Sequence, residues 1–492
     1  MQNEKPLQFI PLLLGIVIIC GGAILRVNEA LVNDVWYDEA FTGMTIRQSW
    51  FDIVLTVIHD KVHPPLYYAI VKMATWATGS TDPFHLRLVS LFFGTASIPL
   101  SYWLIQQLNL ANEDKQWLGL STMTVLSFSP FFISYSTEAR SYSLLLFLIL
   151  LAIICFFKAA RKSFALSKEL IILGFMLFMV MMTHFLSSLI LSGFFVAFWL
   201  LRMEANKTLY DSHTMTRIGI ATLLGWLVVA WVWSATQMEQ WSKQINLAWI
   251  PPSNLSNIQK IITDFLFGIN TRQNGFPISN GFSISLDMGD IGFVILTASV
   301  IAFVIVVQHS INHQEKFRDL IILSAVWIVP LTIDLLMSSF GMRIYVDRYV
   351  IGYGTMLLIW LLYVWWRVAG KKIVWMLSVY LALLLFIIQP PALKIYSEVI
   401  ALIPSASPVT IESPLYYLIF KYYLPEQDMK LLKQISGKIY YTWSHTPATI
   451  QISPEDVTHG SFIVIDKSVD RALPSSWYQQ FETSAFRVYR NQ

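Results

Sequence analysis

Apolar runs long enough to cross a bilayer recur along most of this 492-residue chain, and nothing else in it restricts the fold as strongly. A hydrocarbon core ~30 Å thick is crossed by about 20 apolar residues in a helix. Runs of this kind are Leu7 to Leu25, Leu86 to Leu108, Trp117 to Tyr135, Tyr142 to Phe157, Leu170 to Thr183, Phe185 to Leu201, Ile218 to Ala235, Ile291 to Val307, Leu320 to Ser339, Val350 to Trp366 and Ile373 to Ile388. They predict a polytopic α-helical membrane protein with about 11 transmembrane helices. A composition of 55% hydrophobic against 13% charged residues excludes an ordinary soluble domain, and a net charge of +3 leaves no nucleic-acid footprint. Cys20 and Cys155 both sit inside apolar runs, so neither a disulfide framework nor a cysteine metal site is available. The first run lacks a small-residue cleavage site and reads as an uncleaved span.

Only Thr183-His184 interrupts the stretch from Leu170 to Leu201. One helix of about 32 residues is too long for ordinary tilt, so two spans are expected. Loop charges fit this division. With the N-terminus inside, Lys158, Arg161, Lys162 and Lys168, then Arg202, Lys207 and Arg217, then Lys316 and Arg318, then Arg367, Lys371 and Lys372 all fall on inner loops. Lys and Arg bias in short loops sets orientation, and merging the two spans would invert it downstream.

Residues 1–393 therefore read as a transmembrane domain in which two outer loops interrupt the spans. The first, 26–85, contains the motif Trp36-Tyr37-Asp38-Glu39-Ala40-Phe41 and an apolar stretch from Leu66 to Ala77, which is too short to cross and suits a re-entrant or interfacial helix. The second, 236–290, carries Pro251-Pro252 and suits a lid. From 394 to 492 hydropathy falls, and short runs at Pro408 to Ile411, Lys438 to Tyr441, Phe462 to Ile465 and Phe486 to Tyr489 read as strands, with a helix at Pro414 to Tyr423. An odd number of spans places this small α/β domain outside. Asn254-Leu255-Ser256 matches a glycosylation sequon, a triplet that also arises often by chance.

Adjacent carboxylates after a span can be solvated anchors. Asp38-Glu39, however, is flanked by aromatics and shares its side of the membrane with further charged motifs, which favours chemistry. One carboxylate can take a proton from a hydroxyl, while its neighbour holds a divalent cation. His63 precedes Pro64-Pro65, which fix an extended backbone and favour a binding role. Glu138-Ala139-Arg140-Ser141-Tyr142 opens the fourth span, and Tyr345-Val346-Asp347-Arg348-Tyr349 repeats the composition before the tenth. Arginines at helix ends commonly snorkel. Two such groups on one face exceed what anchoring needs, and a planar guanidinium suits phosphate. His184 lies in an outer turn, where a histidine is more often a loop residue than a ligand.

Trp-Tyr-Asp-Glu-Ala after the first span, His63-Pro64-Pro65-Leu66-Tyr67-Tyr68, Arg87-Leu88-Val89-Ser90, Ser129-Pro130 leading to Tyr135-Ser136-Thr137-Glu138-Ala139-Arg140-Ser141-Tyr142, and Thr183-His184-Phe185 together resemble glycosyltransferase family 39. That group belongs to the glycosyltransferase C superfamily and includes the protein O-mannosyltransferases and the aminoarabinose transferases of lipid A. The resemblance implies a multi-pass enzyme of the plasma or inner membrane. It would take a polyprenyl-phosphate-linked sugar and pass it, usually with inversion, to a lipid, glycan or protein acceptor on the periplasmic or extracellular face. It implies Asp38 and Glu39 as catalytic carboxylates, and His63, Tyr67, Arg87, Glu138, Arg140, Tyr142, His184, Tyr345, Arg348 and Tyr349 as substrate contacts. Arg140 and Arg348 would meet the lipid phosphate. Metal dependence differs within the superfamily, so a divalent metal ion held by Asp38, Glu39 and His63 stays an open reading. Aminoarabinose transferases carry a lysine where this chain has His63, and the large lumenal insertion of the eukaryotic mannosyltransferases is missing. Two other classes stay in view: a lipid-linked sugar flippase or transporter, and a surface-polysaccharide ligase or polymerase.

Overall fold

In the computed structural model the described residues are 5–60, 63–164, 167–184, 186, 189–204, 254, 256–268, 276–278, 282–284, 288–312, 317–339, 345–387, 395–404, 407–411, 414–432, 451–452, 461–466, 473, 476–483 and 486–491. The expected span at 218–235, most of the loop 236–290, the strand at 438–441 and Leu255 of the sequon lie outside them. The chain divides into two compact units. One comprises Met1–Asn28, Lys61–Tyr67 and Val89–Pro390, the other Glu29–Asp60, Tyr68–Leu88 and Pro391–Gln492.

The helices in chain order are α1 (Lys5–Val32), α2 (Tyr37–Ile46), α3 (Trp50–Asp60), α4 (Leu66–Thr78), α5 (Pro83–Ile105), α6 (Asn112–Phe128), α7 (Pro130–Thr137), α8 (Tyr142–Arg161), α9 (Lys168–Met181), α10 (Leu189–Glu204), α11 (Ser256–Phe267), α12 (Met288–Asn312), α13 (Arg318–Ser339), α14 (Ile351–Ala369), α15 (Lys372–Ile387), α16 (Ile395–Leu402) and α17 (Pro414–Tyr423). Among the described residues six are long and apolar enough to cross a membrane, or seven if the bent pair α6 and α7 counts as one span. The chain is a polytopic helical membrane protein. The strongly apolar stretch from 170 to 201 is broken as its length required, between α9 and α10.

Two spans differ from expectation, and one contact explains both. Arg26, expected at the start of an outer loop, lies inside α1 and is buried. The third span is not continuous: it bends by 57° at Ser129-Pro130. Pro130 has no N–H to give the carbonyl of Leu126 and pushes Ser129 into extended backbone at φ −64° and ψ 128°. Arg26 supplies the missing donor, reaching Leu126 O at 2.7 Å and Ser127 O at 3.0 Å. A Cβ on Gly22 would press on Ser127, so α1 approaches α6 closely one turn from Arg26. Farther along, α14 is gripped at its start. A Cβ on Gly352 would collide with Ile149 of α8, and one on Gly354 with Phe265 of α11.

The second unit carries a six-stranded sheet of β3 (Val409–Ile411), β4 (Met429–Leu432), β5 (Gln451–Ile452), β6 (Phe462–Asp466), β7 (Trp477–Glu482) and β8 (Phe486–Asn491), in the order β5-β4-β3-β6-β8-β7. A separate short hairpin joins β1 (Phe276–Ile278) to β2 (Phe282–Ile284). Parallel pairing links β5, β4, β3 and β6, and β8 runs antiparallel between β6 and β7. Val409, Ile411, Val464, Phe486 and Val488 from the strands pack with Tyr417 and Phe420 of α17 and Val399 of α16 into one apolar core. β3, β6, β8 and α17 fall where the sequence pattern put them. β4 and β7 carry no clean apolar alternation and are found only in the structure. Helix α17 also meets α2. The Arg47 guanidinium lies 5.0 Å from the Tyr422 ring centre, and a Cβ at Gly43 would strike that ring.

Candidate functional site

The acidic motif opens α2. Trp36 caps the helix from extended backbone at φ −96° and ψ 178°, which sets Asp38 and Glu39 in the first turn, where the helix dipole favours negative charge. Glu39 reaches back to the Trp36 N–H at 3.5 Å. Its main partner is Arg87, with Nε to Oε1 at 2.8 Å and Nη2 to Oε2 at 2.6 Å, and both residues are buried. The same guanidinium donates to the carbonyls of Ala30, Asn33 and Asp34 at 2.7, 2.8 and 2.9 Å. A guanidinium has five N–H donors, and all of them are used here.

Two further contacts fix the same turn. Val35 N–H donates to Tyr423 Oη at 2.8 Å. Asp34 Oδ2 accepts the Tyr396 and Ser397 N–H groups at 2.9 and 3.1 Å, satisfying the exposed donors at the start of α16. The turn 33–36 is thus pinned from three sides. Burial, with the carboxylate of Asp34 close by, pushes the Tyr423 phenol up to about 12, so the hydroxyl keeps its proton throughout the physiological range while its oxygen accepts from Val35. Asp38 stands on this platform half-exposed, its backbone carbonyl accepting the Thr42 hydroxyl at 3.2 Å. Neither Asp34 nor Tyr423 stood out in the sequence. An acid that caps a helix more than 300 positions away leaves no local signature.

The adjacent acids therefore have different surroundings. Glu39 does not fit a metal ligand, because both of its oxygens accept hydrogen bonds from Arg87. Among the described residues no group of three His, Cys, Asp or Glu side chains could hold a metal ion.

In the other unit, breaks between helices bring a second set of residues together. His63 precedes α4, Arg140 lies between α7 and α8, His184 between α9 and α10, and Arg348 and Tyr349 precede α14. Arg140 is not helical, although its motif was expected to open the fourth span. Its N–H closes a three-residue turn on Glu138 O at 2.7 Å, and α8 begins only at Tyr142. Arg140 Nη2 lies 2.9 Å from His63 Nε2 and 3.3 Å from Nδ1. A guanidinium can only donate, so a hydrogen bond between the two side chains requires an unprotonated nitrogen on His63.

His184 meets three rings: His63 edge-on at 5.5 Å, Tyr349 at 4.9 Å and Tyr142 at 6.2 Å between centres. It is fully buried, and neither ring nitrogen has a hydrogen-bond partner among the described residues. Burial foremost, then the nearby His63, Arg140 and Arg348, hold its pKa well below the usual imidazole range. The Arg348 guanidinium lies 5.7 Å from the Tyr349 ring centre.

Other singled-out residues support this cluster. Tyr67 Oη and Ser90 Oγ are 2.7 Å apart, and Ser90 donates to the Arg140 carbonyl at 3.1 Å, so Tyr67 is the donor to Ser90. Tyr345 donates to Asp347 Oδ1 at 3.1 Å. Two guanidiniums, two imidazoles and tyrosine rings, drawn from four stretches of the chain, gather here largely out of water, and the chemistry of a planar guanidinium fork suits an anion such as phosphate.

No protein-family model and no curated protein matches the chain. Several solved structures are similar to it. ArnT from Cupriavidus metallidurans, bound to undecaprenyl phosphate, shares 10% identity over 96% of this chain and 97% of its own, at a TM-score of 0.47. The Saccharomyces cerevisiae protein O-mannosyltransferase Pmt1-Pmt2 complex bound to the sugar donor shares 18% identity over 49% of this chain at a TM-score of 0.36, and this chain spans only 34% of it. The archaeal oligosaccharyltransferase AglB from Archaeoglobus fulgidus, in complex with an inhibitory peptide and a dolichol-phosphate, shares 12% identity over 83% of this chain and 63% of its own, at 0.45. At such scores these are loose likenesses of backbone course.

Proposed function

We propose that this protein is an integral-membrane glycosyltransferase that moves a sugar from a polyprenyl-phosphate donor to a hydroxyl on a lipid, glycan or protein acceptor. The observation that carries the reading is the buried cluster of Arg140, His63 and His184 with Arg348 and Tyr349 beside it. In the proposed reaction the acceptor oxygen attacks the anomeric carbon and the bond from that carbon to the phosphate oxygen breaks. The electron pair leaves on the phosphate, where preplaced cations stabilise the growing charge. Asp38 takes the acceptor proton as general base. Glu39 and Arg87 position Asp38.

The loop charges support about 11 spans, with the acidic motif and the small C-terminal α/β domain of residues 394–492 on the extracytoplasmic face of a plasma or inner membrane. A hexosyl or pentosyl group fits the reading equally. A flippase or transporter has one observation in its favour. Asp334 is buried inside α13, accepting the Tyr353 hydroxyl at 3.0 Å, and intramembrane carboxylates often mark transport paths.

Incubating the purified protein with a panel of polyprenyl-phosphate sugars separates these readings. Free polyprenyl phosphate should appear with the wild type and not with Asp38→Asn. Movement of an intact lipid-linked sugar across a vesicle, without release, would favour transport. Use of a pyrophosphate-linked glycan alone would favour a ligase or polymerase.

A further inference from the structure

The other ends of the same helices border a second polar cavity. Helix α8 runs from Tyr142 to Arg161 and α14 from just after Tyr349 to Ala369, so each places its last turn roughly 30 Å from the Arg140 cluster at 1.5 Å per residue. There the turn Asn109-Leu110-Ala111, His309 at the end of α12, Asp319 at the start of α13, and Tyr363 and Arg367 of α14 enclose a cavity of about 350 Å³. That volume lies in the range of small-ligand sites.

The wall has an uneven charge. Asp319 is buried and already engaged, accepting the Asn109 N–H and facing the Arg318 guanidinium at 3.4 Å. Arg161, held by Gln107 at 3.1 Å, adds a further cation close to Arg318 and Asp319. One carboxylate is thus set among several cations, and Arg367 lines the cavity with its Nη1 donating to Tyr363 Oη at 3.2 Å. Basic residues near helix C-termini often do no more than complement the backbone dipole. That role accounts for single side chains. It does not account for Arg367 and His309 lining one cavity drawn from three helices and a turn.

This end of the bundle also carries Lys158, Lys162, Lys168, Lys371 and Lys372, which by the charge bias of short loops makes it the cytoplasmic end. A basic pocket between transmembrane helices at that level is where anionic headgroups bind. We propose that the cavity binds a phosphate group through Arg367 and His309, presented by an anionic phospholipid of the inner leaflet or by a soluble phosphate compound. It would act as an accessory site remote from any sugar transfer.

The test uses the full-length protein in detergent and follows its thermal midpoint, so it is independent of donor turnover and of the glycosyltransferase reading. Phosphatidylglycerol should raise the midpoint saturably, as ligand linkage requires, while phosphatidylcholine should not. Arg367→Gln should move half-saturation about tenfold higher, the loss expected for a charge-assisted hydrogen bond. His309→Gln, at an exposed position, should move it in the same direction and keeps the test decisive if Arg367→Gln folds poorly. An equal saturable rise with inorganic phosphate, weakened by the same variants, would support the site and assign it to a soluble compound. No rise with either ligand, or equal rises in wild type and His309→Gln, would overturn the proposal.

Discussion

Arg87 holds Glu39 through both carboxylate oxygens, at 2.8 and 2.6 Å, with the two side chains 2% and 1% exposed. Removing one partner of a buried pair strands the other charge and costs about 3–5 kcal/mol. Arg87→Met should therefore lower the unfolding midpoint sharply, and Glu39→Gln less so, because an amide oxygen still accepts one bond. Circular dichroism melts of both variants check this. Wild-type midpoints for both would mean the turn 33–36 is held without the pair.

Asp38→Asn should give the opposite pattern: an unchanged melt, near-normal donor binding and lost turnover, as expected of a group that acts mainly in the transition state. Comparing the two neighbours in one set of assays separates chemistry from scaffolding. A melting defect in Asp38→Asn as large as in Glu39→Gln would make both acids structural.

Arg140→Lys and Arg348→Lys keep the charge but lose the fork. Each lost charge-assisted bond to phosphate should weaken donor binding by roughly 1.5–3 kcal/mol, about tenfold to a hundredfold. The donor dissociation constant measures this directly. Anchoring at the interface needs only a cation, so unchanged affinity in both variants would count against a phosphate site here.

His184 makes stability depend on pH. Its folded pKa is depressed by burial and neighbouring cations, while the unfolded chain takes a proton at about 6.5. Between those values the unfolded state binds more protons, so stability rises with pH, is fully present above about 6.5 and is lost as pH falls. Melts recorded from pH 5 to 8 should show a slope that flattens in His184→Gln. Parallel profiles for variant and wild type would argue that other groups set the slope.

A reporter active only outside the cytoplasm, fused after Gln492, should be active. Activity of a cytoplasmic reporter there would mean that the span count differs by one.

The polytopic helical class and the long apolar helices among the described residues were legible because hydropathy is a local property. What the local pattern concealed was partnership. Asp38 and Glu39 look equivalent in the sequence, and only the fold brings Arg87, 48 positions away, onto one and not the other. Arg26 reads as a loop cation until Pro130 leaves Leu126 O without its donor. Glu138 to Ser141 carry helix-compatible residues, yet the chain turns on the carbonyl of Glu138. The aromatic contacts of His184 come from three separate segments, so a histidine that reads as an ordinary turn residue lies at the centre of the cluster.

Gly352 and Gly354 leave α14 no room to roll, since Ile149 and Phe265 rest against the bare backbone on either side. Each residue of an α-helix turns the chain by about 100°. Adding or deleting one residue between Tyr349 and Gly352 would therefore swing Tyr349 away from His184 while the clamped helix stayed in place. Most helix ends in a bundle absorb a change in length by fraying. This junction would be dephased by it, so a one-residue insertion or deletion at 350–351 should disturb the cluster where a substitution at constant length should not.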